Sequence, residues 1–365
     1  MRSGFLSLIL IHHHQQCLTI RFPLSSLLLQ EILVPKKSSL LLRMIVVLVL
    51  TMVCGISFSM VFLKQFSIGK VTMLTLFPNV QVSDKPCLRP DLEDWEVPYV
   101  HYPKPVTYSR EECACHPVRY FAIFSTQRSG SGWFETLLNS HMNVSSNGEI
   151  FSVKVRRANI SSIAETLDKL YNLDWMSSAA KNECTSAVGL KWMLNQGLLQ
   201  YHEDVVKYFT QKGVSIIFLF RRNLLRRMVS ILANSYDHDK KLLNGAHKSH
   251  VHSPHEAEIL ASYKPHVNVT TLIREIKLVQ NMVAKASEYF NSTRHMTLYY
   301  EDVVNNHTKL LDVQDFLRIP RMKLTSRQVK IHKGPLSQQV ANWDDVRKTL
   351  NGTEFESYLH DDYRL

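Results

Sequence analysis

Nowhere does the chain read G-x-x-x-x-G-K-[ST], and no apolar run closes on a plain aspartate that would hold magnesium beside such a loop. A cation-dependent triphosphatase would lack both its phosphate lysine and its metal ligand. Cysteine is scarce, with six among 365 residues. None forms a C-x-x-C pair: a single alanine separates Cys113 from Cys115, which is wrong for a zinc knuckle. There is no basic tail, zinc-finger spacing or aromatic-rich RNA motif, which argues against a nucleic-acid partner. The nearest approach to a metal-binding D-x-D is "DHD" at 237–239, which reads as part of a loop. Internal repeats are absent. Acidic residues are the deficient charge, 32 against 43 basic, for a net charge of +11. That surplus suits an anionic ligand, an acidic polysaccharide or a membrane surface without choosing among them. What the chain does have is a normal apolar fraction of 45% and enough length for one large domain or two ordinary ones.

One long run carries no charge: "MIVVLVLTMVCGISFSMVFL", residues 44–63. At about 1.5 Å per residue it would span about 30 Å, one bilayer core, so it is expected to be a transmembrane anchor. Lys36, Lys37 and Arg43 precede it, against Lys64 and Lys70 after it. This bias favours a cytosolic N-terminus and a lumenal remainder. Residues 1–43 then form a cytosolic tail, or lie upstream of a true start at Met44. Residues 64–116, with "SDKPCLRPDLEDWEVPYVHYPKPV", read as a stem, and 117–365 as the catalytic domain. Cys87, Cys113, Cys115 and Cys184 follow the apolar run and would allow two disulfides in an oxidising compartment, in any of three pairings. N-x-S/T triplets begin at Asn143, Asn159, Asn268, Asn291, Asn306 and Asn351, in line with a glycoprotein.

From residue 118 strands and helices alternate. "VRYFAIF" (118–124), "SAVGLKWM" (186–193) and "VSIIFLF" (214–220) read as buried strands, and "HMTLYYEDVV" (295–304) as a strand leading into a helix. Helical spacing is expected to about residue 141, over 198–213, after "RRN" at 221–223, and over 269–290 and 307–319. The expected fold class is α/β: a P-loop-like doubly wound parallel sheet flanked by helices, with ligands at the carboxyl ends of its strands.

The stretch after the first strand is "STQRSGSGWF", residues 125–134. Gly130 and Gly132 let backbone N–H groups approach an anion where a helix begins, and the helix dipole favours negative charge there. Ser129 and Ser131 add hydroxyl donors, and Arg128 can fork two hydrogen bonds onto one oxyanion. A structural turn with a solvated arginine is the plainer alternative. "IIFLFRRNLLRRMVSIL" then places Arg222 at the end of a buried strand and Ser230 about two turns into the next helix. Both could face a second phosphate; alternatively this is a basic helix with Arg221, Arg226 and Arg227 in water.

These residues together resemble the sulfotransferases that use 3′-phosphoadenosine 5′-phosphosulfate (PAPS). That family has a 5′-phosphosulfate loop, here "STQRSGSGWF", then R-N/D-x-x-x-x-x-x-S, here Arg222 to Ser230, then a late "YED", here Tyr300 to Asp302. The R-S-G-S form resembles the carbohydrate branch, and within it the nodulation-factor type and its plant relatives. Leu224 departs from the family's usual proline, and Gly132 from its usual serine or threonine. The resemblance implies PAPS as co-substrate, no metal, and sulfuryl transfer to a hydroxyl or amine of a carbohydrate by a type II Golgi membrane enzyme. A type II membrane glycosyltransferase and a non-catalytic glycan-binding protein are the alternatives. It implies that Gln127, Arg128, Ser129, Gly130, Ser131, Gly132 and Trp133 hold the phosphosulfate. Arg222, Ser230 and Lys333 of "IHKGPL" would hold the 3′-phosphate. Glu149 is the implied general base, with His141 as rival, and Lys191 of "GLKWM" is set near the sulfate or acceptor. Glu301 and Asp302 are expected to be structural, capping a helix. The histidine-rich "HKSHVHSPHEAE" (247–258) reads as a mobile insertion near the acceptor opening rather than a metal site.

Overall fold

The computed structural model describes residues 44–53, 55, 56, 92–175 and 183–360. Two compact units divide between Lys85 and Pro86. In the first, residues 44–53, 55 and 56 are helical and exposed. Among the described residues no helix is long and apolar enough to cross a membrane. The anchor expected over 44–63 is therefore not supported among the described residues. Cys54 and residues 57–63 lie outside the described residues.

The second unit is built on five strands: β1 (Arg119–Ser125), β2 (Val144–Ser146), β3 (Ala187–Met193), β4 (Val214–Phe220) and β5 (His295–Tyr299). They pair in the order β2-β3-β1-β4-β5, every pair parallel. β3 and β4 are buried at every position, the pattern of strands covered on both faces. The helices are α1 (Ser131–Asn139), α2 (Ile160–Tyr171), α3 (His202–Gln211), α4 (Leu224–Lys240), α5 (Pro254–Ala261), α6 (Val269–Tyr289), α7 (Tyr300–Asn305), α8 (Lys309–Phe316) and α9 (Trp343–Leu350).

Alternation along β1 sorts its side chains between two cores. Tyr120, Ala122 and Phe124 pack with α2, α3 and α6, whereas Phe121 and Ile123 pack with α1, α7 and α8. Phe124 is ringed by Trp192, Phe209, Phe218 and Phe290 at centroid distances of 4.9 to 6.1 Å. The same alternation on β3 sends Leu190 and Trp192 to the first core and leaves Lys191 on the α1 face.

Helix starts use short polar side chains. The Asn159, Asn223 and Asn268 amide oxygens accept the Ser162, Arg226 and Thr270 backbone N–H groups. Asn159 and Asn268 each open an N-x-S/T triplet, so capping gives those triplets a structural role. Residues 92–116 fall within the segment read as a stem, yet they pack on the sheet's neighbours. Arg110 is buried and donates to the carbonyls of Glu183 and His116 at 2.9 and 3.0 Å. Cys113 is disulfide-bonded to Cys184. That bond consumes two members of the Cys113, His116 and Cys184 cluster, whose spacing alone would suit a metal. Cys87 lies outside the described residues.

Candidate active site

The central strand β1 sets the position of the site. Ser125 pairs in register with Met193 on one side and Leu219 on the other, so β1, β3 and β4 end together. Their carboxyl ends open into a cavity of about 910 Å³. This is the crevice where an open parallel sheet takes its ligands.

The loop after β1 forms one wall. Arg128 adopts φ 62° and Gly130 φ 81°, two left-handed residues within three positions. That alternation turns successive N–H groups toward one side, a concave anion-binding geometry. At Arg128 the conformation is strained for a side-chain-bearing residue and costs on the order of 1 kcal/mol. At Gly130 only glycine fits: an added β-carbon would collide with the Tyr300 ring, and one at Gly132 with the His250 ring.

Arg128 is held from three directions. Its Nε donates to Ser230 Oγ at 2.9 Å, and its Nη1 donates to Asn234 Oδ1 at 3.3 Å and to the Ser249 carbonyl at 2.9 Å. Burial, and then the charge of Arg221, pull its pKa down to about 10, so it stays cationic at neutral pH. Gln127, Gly130, Ser131, Gly132 and Trp133 line the same cavity. Ser129 does not; its hydroxyl pairs with Thr126 Oγ1 at 2.7 Å inside the loop.

α4 supplies the second wall. Ser230 accepts from Arg128, which leaves its own proton to be donated elsewhere. Arg226 and Arg227 are buried rather than in water. Arg227 Nε donates to Thr126 Oγ1 at 3.1 Å and so braces the loop from behind. Arg222, assigned from the sequence to the 3′-phosphate, points away from the cavity. It forms a two-pronged pair with Asp302, with Nη2 to Oδ2 at 2.7 Å, and lies over the Tyr299 ring at 4.1 Å. Its neighbour Arg221 lines the cavity in its place, as does Arg226. Lys333 is exposed and also outside the lining, which receives Lys330 and His332 instead.

The reason lies in the "YED" segment. Glu301 is buried, and the helix start it serves is that of α4 rather than α7. Its carboxylate accepts the Arg222 and Asn223 backbone N–H groups at 3.1 and 3.4 Å and approaches Arg221 Nε at 3.7 Å. Glu301 thus fixes the turn between β4 and α4, and with Asp302 it decides which arginine faces inward.

On the β3 side, Glu149 and Lys191 line the cavity together. Lys191 Nζ lies 3.4 Å from Glu149 Oε1 and 3.2 Å from Glu135 Oε2. Gln196 Nε2 donates to Glu149 Oε2 at 3.1 Å, which fixes the carboxylate's other oxygen. His141 is elsewhere, buried: its Nε2–H donates to the Pro320 carbonyl at 2.9 Å, and its Nδ1 accepts from Asn143 N at 3.1 Å. With both nitrogens engaged away from the cavity, it is not placed to act as a base.

The histidine-rich segment is anchored to the site. "DHD" lies in the last turns of α4, not in a loop. Asp237 is buried, pairs with His247 Nδ1 at 2.6 Å and accepts the Leu242 backbone N–H at 3.1 Å. Val251 then bridges to Val329, so the segment carrying His250 and the segment carrying Lys330 and His332 close over the loop side by side. Neither feature left a signal that sequence spacing could detect.

Three histidines tie stability to pH. Burial, reinforced by nearby cations, pulls His332 and His250 to about 4, and burial with Lys212 does the same to His101. In the unfolded chain each titrates near 6.5. Between these values the unfolded state binds more protons, so stability rises with pH. The expected result is a melting temperature that falls as pH drops from about 7 toward 4, measured by circular dichroism at constant ionic strength. An anionic ligand should reduce the fall by offsetting the cations around His332.

No protein-family model matches the chain. Nodulation protein H of Rhizobium meliloti is 25% identical over 240 residues, an alignment covering 63% of this chain and 91% of that protein. Solved structures with similar elements include a sulfotransferase from Alicyclobacillus acidocaldarius (14% identity, 67% of this chain and 96% of that one, TM-score 0.36). Others are the sulfotransferase domain from the curacin biosynthetic pathway (14%, 66% and 88%, TM-score 0.29) and a mouse sulfotransferase complexed with PAP (13%, 66% and 87%, TM-score 0.35). At those scores the overlays do not bear on the site. The curated relative does bear on the family: the resemblance to nodulation-type sulfotransferases, carried by residues 125–134, 222–230 and 300–302, is borne out by its similarity to nodulation protein H.

Proposed function

We propose that this chain transfers a sulfuryl group from PAPS to a hydroxyl or amine of a carbohydrate acceptor. One observation carries the reading: a single cavity collects an anion-cradling loop, the cations Arg128, Arg221 and Arg226, and a carboxylate–lysine pair at Glu149 and Lys191. The residues suit a ligand with two anionic ends. The cradle is open only because Gly130 and Gly132 have no β-carbon. Across it, His332 Nδ1 is buried with no hydrogen-bond partner among the described residues.

Bound PAPS would supply a sulfuryl group already joined to a good leaving phosphate. Arg128 and the N–H groups of the cradle stabilise charge as it grows on the bridging oxygen. Such preorganised donors act without a metal when the transferred group carries less charge than a phosphoryl group. Glu149 takes the acceptor's proton as the acceptor oxygen or nitrogen bonds to sulfur and the sulfur–bridging oxygen bond breaks. Arg221, Arg226 and Ser230 are set to hold the nucleotide's 3′-phosphate.

Purified protein with radiolabelled PAPS should move label onto at least one member of an oligosaccharide panel, with chelator present. Failure to bind the nucleotide at all would end this reading. Arg221→Ala should weaken binding of 3′-phosphoadenosine 5′-phosphate by about tenfold or more, the loss of one charged hydrogen bond. Arg222→Ala should change it by no more than about fivefold, because an exposed ion pair contributes about 0–1 kcal/mol. Calorimetric titration of both variants checks this, and the reverse order would assign the site to Arg222.

A further inference from the structure

Glu135 has no place in the reading so far, yet its carboxylate is engaged at both oxygens beside the cavity. It stands on α1, five residues beyond Gly130, and is buried. Its Oε1 accepts from Ser146 Oγ and from the Gly148 backbone N–H, both at 2.7 Å. Its Oε2 lies 3.2 Å from Lys191 Nζ. The same ammonium reaches Glu149 Oε1 at 3.4 Å, so one cation sits between two carboxylates. The carboxylates are not equivalent. The Glu135 and Lys191 side chains are 10% and 7% exposed, whereas Glu149 is 34% exposed toward the cavity.

That asymmetry matters for a base. An ammonium balanced by Glu149 alone would oppose the neutralisation of Glu149, because a buried cation left without a counter-ion is costly. With Glu135 in place, the cation stays balanced whether Glu149 is charged or neutral. The bonds that Glu135 Oε1 accepts from the Ser146 hydroxyl and the Gly148 backbone N–H also pin the turn that precedes Glu149.

We propose that Glu135 is the positioning residue of the proton-accepting step: it is the standing counter-ion of Lys191, and so lets Glu149 gain and lose a proton without stranding a buried charge. This rests on Glu149 being the base. Glu135 is not among the residues lining the cavity and acts through Lys191 and the Gly148 turn.

The test is the pH profile of kcat for sulfate transfer. Glu135→Gln keeps an oxygen for Ser146 and Gly148 but removes the charge. Lys191 then serves Glu149 alone, and the acidic limb should move down by about one pH unit. Turnover on the plateau should fall about tenfold with a weaker base, and the KM for PAPS should stay within twofold. A purely structural role would lower kcat without moving the limb, and that outcome overturns the proposal.

If Glu135→Gln does not fold, Lys191→Met and Lys191→Met/Glu135→Gln form a second comparison, in which charge is removed in a balanced pair. The first should move the limb up, since Glu149 then faces a like charge; adding Glu135→Gln should bring it back down. Coincident limbs would overturn the proposal. The underlying reading fails separately: full activity in Glu149→Gln removes the base itself, whereas an inactive Glu149→Gln with an unmoved Glu135→Gln limb removes only the role of Glu135.

Discussion

Arg128→Ala is expected to lose about 10²–10³-fold in kcat/KM for sulfate transfer, the loss typical of removing one preorganised charge-stabilising donor. The geometry gives the reason. Arg128 is the loop's own cation, and three hydrogen bonds to Ser230, Asn234 and Ser249 fix its guanidinium. Arg221 is not an equivalent substitute, because the Arg128 carbonyl at 3.2 Å and Glu301 hold it in the place proposed for the 3′-phosphate. Arg128→Lys should recover only part of the activity, since an ammonium cannot reproduce the planar fork that reaches Ser230 and Asn234 at once. The measurement is steady-state transfer of labelled sulfate, with thermal unfolding as the fold control. Activity within tenfold of the parent in Arg128→Ala would show that the loop's cation does not stabilise the leaving oxygen.

Glu149→Gln should be nearly as severe but different in kind. The amide keeps the shape and can still meet Gln196 and Lys191, yet it cannot accept a proton. Turnover should fall about 10²–10⁴-fold, the usual range for a positioned base. Affinity for 3′-phosphoadenosine 5′-phosphate should hold within about threefold, because Glu149 lies with Lys191 on the β3 side, opposite the arginines of α4. A loss confined to kcat separates a residue used in the transition state from one that only binds. Weakened nucleotide binding with unchanged kcat would instead make Glu149 a binding residue.

The sequence made the sheet legible where the signal was local. "VSIIFLF" is an uninterrupted apolar run, and β4 occupies those residues, 214–220. The cradle was legible for the same reason: a strand, a small-residue loop and a helix start are contiguous. α2 was less so, since its amphipathic turns follow an irregular, basic 154–157 segment. The choice between Arg221 and Arg222 was not local at all. Both sit at the end of β4, and Glu301 and Asp302, about eighty residues later, determine which one turns inward. Ser129 and Ser131 show the same limit two positions apart: Thr126 captures the first hydroxyl, and the second lines the cavity. Glu135 left no trace in "SGWFETLLN", because its meaning depends on a lysine in β3 and a turn at Gly148. The uncharged run at 44–63 is a strong compositional signal that the described residues do not support as a membrane-spanning helix, with residues 57–63 lying outside them.

The most direct test is calorimetric titration of the purified chain with 3′-phosphoadenosine 5′-phosphate in the presence of chelator, alongside adenosine 5′-phosphate lacking the 3′-phosphate. The cradle and the α4 arginines predict saturable, metal-independent binding that weakens at least tenfold when the 3′-phosphate is removed, since each charged hydrogen bond contributes about 1.5–3 kcal/mol. Equal affinity for the two nucleotides, or binding that appears only with added magnesium, would contradict the assignment of this cavity to PAPS.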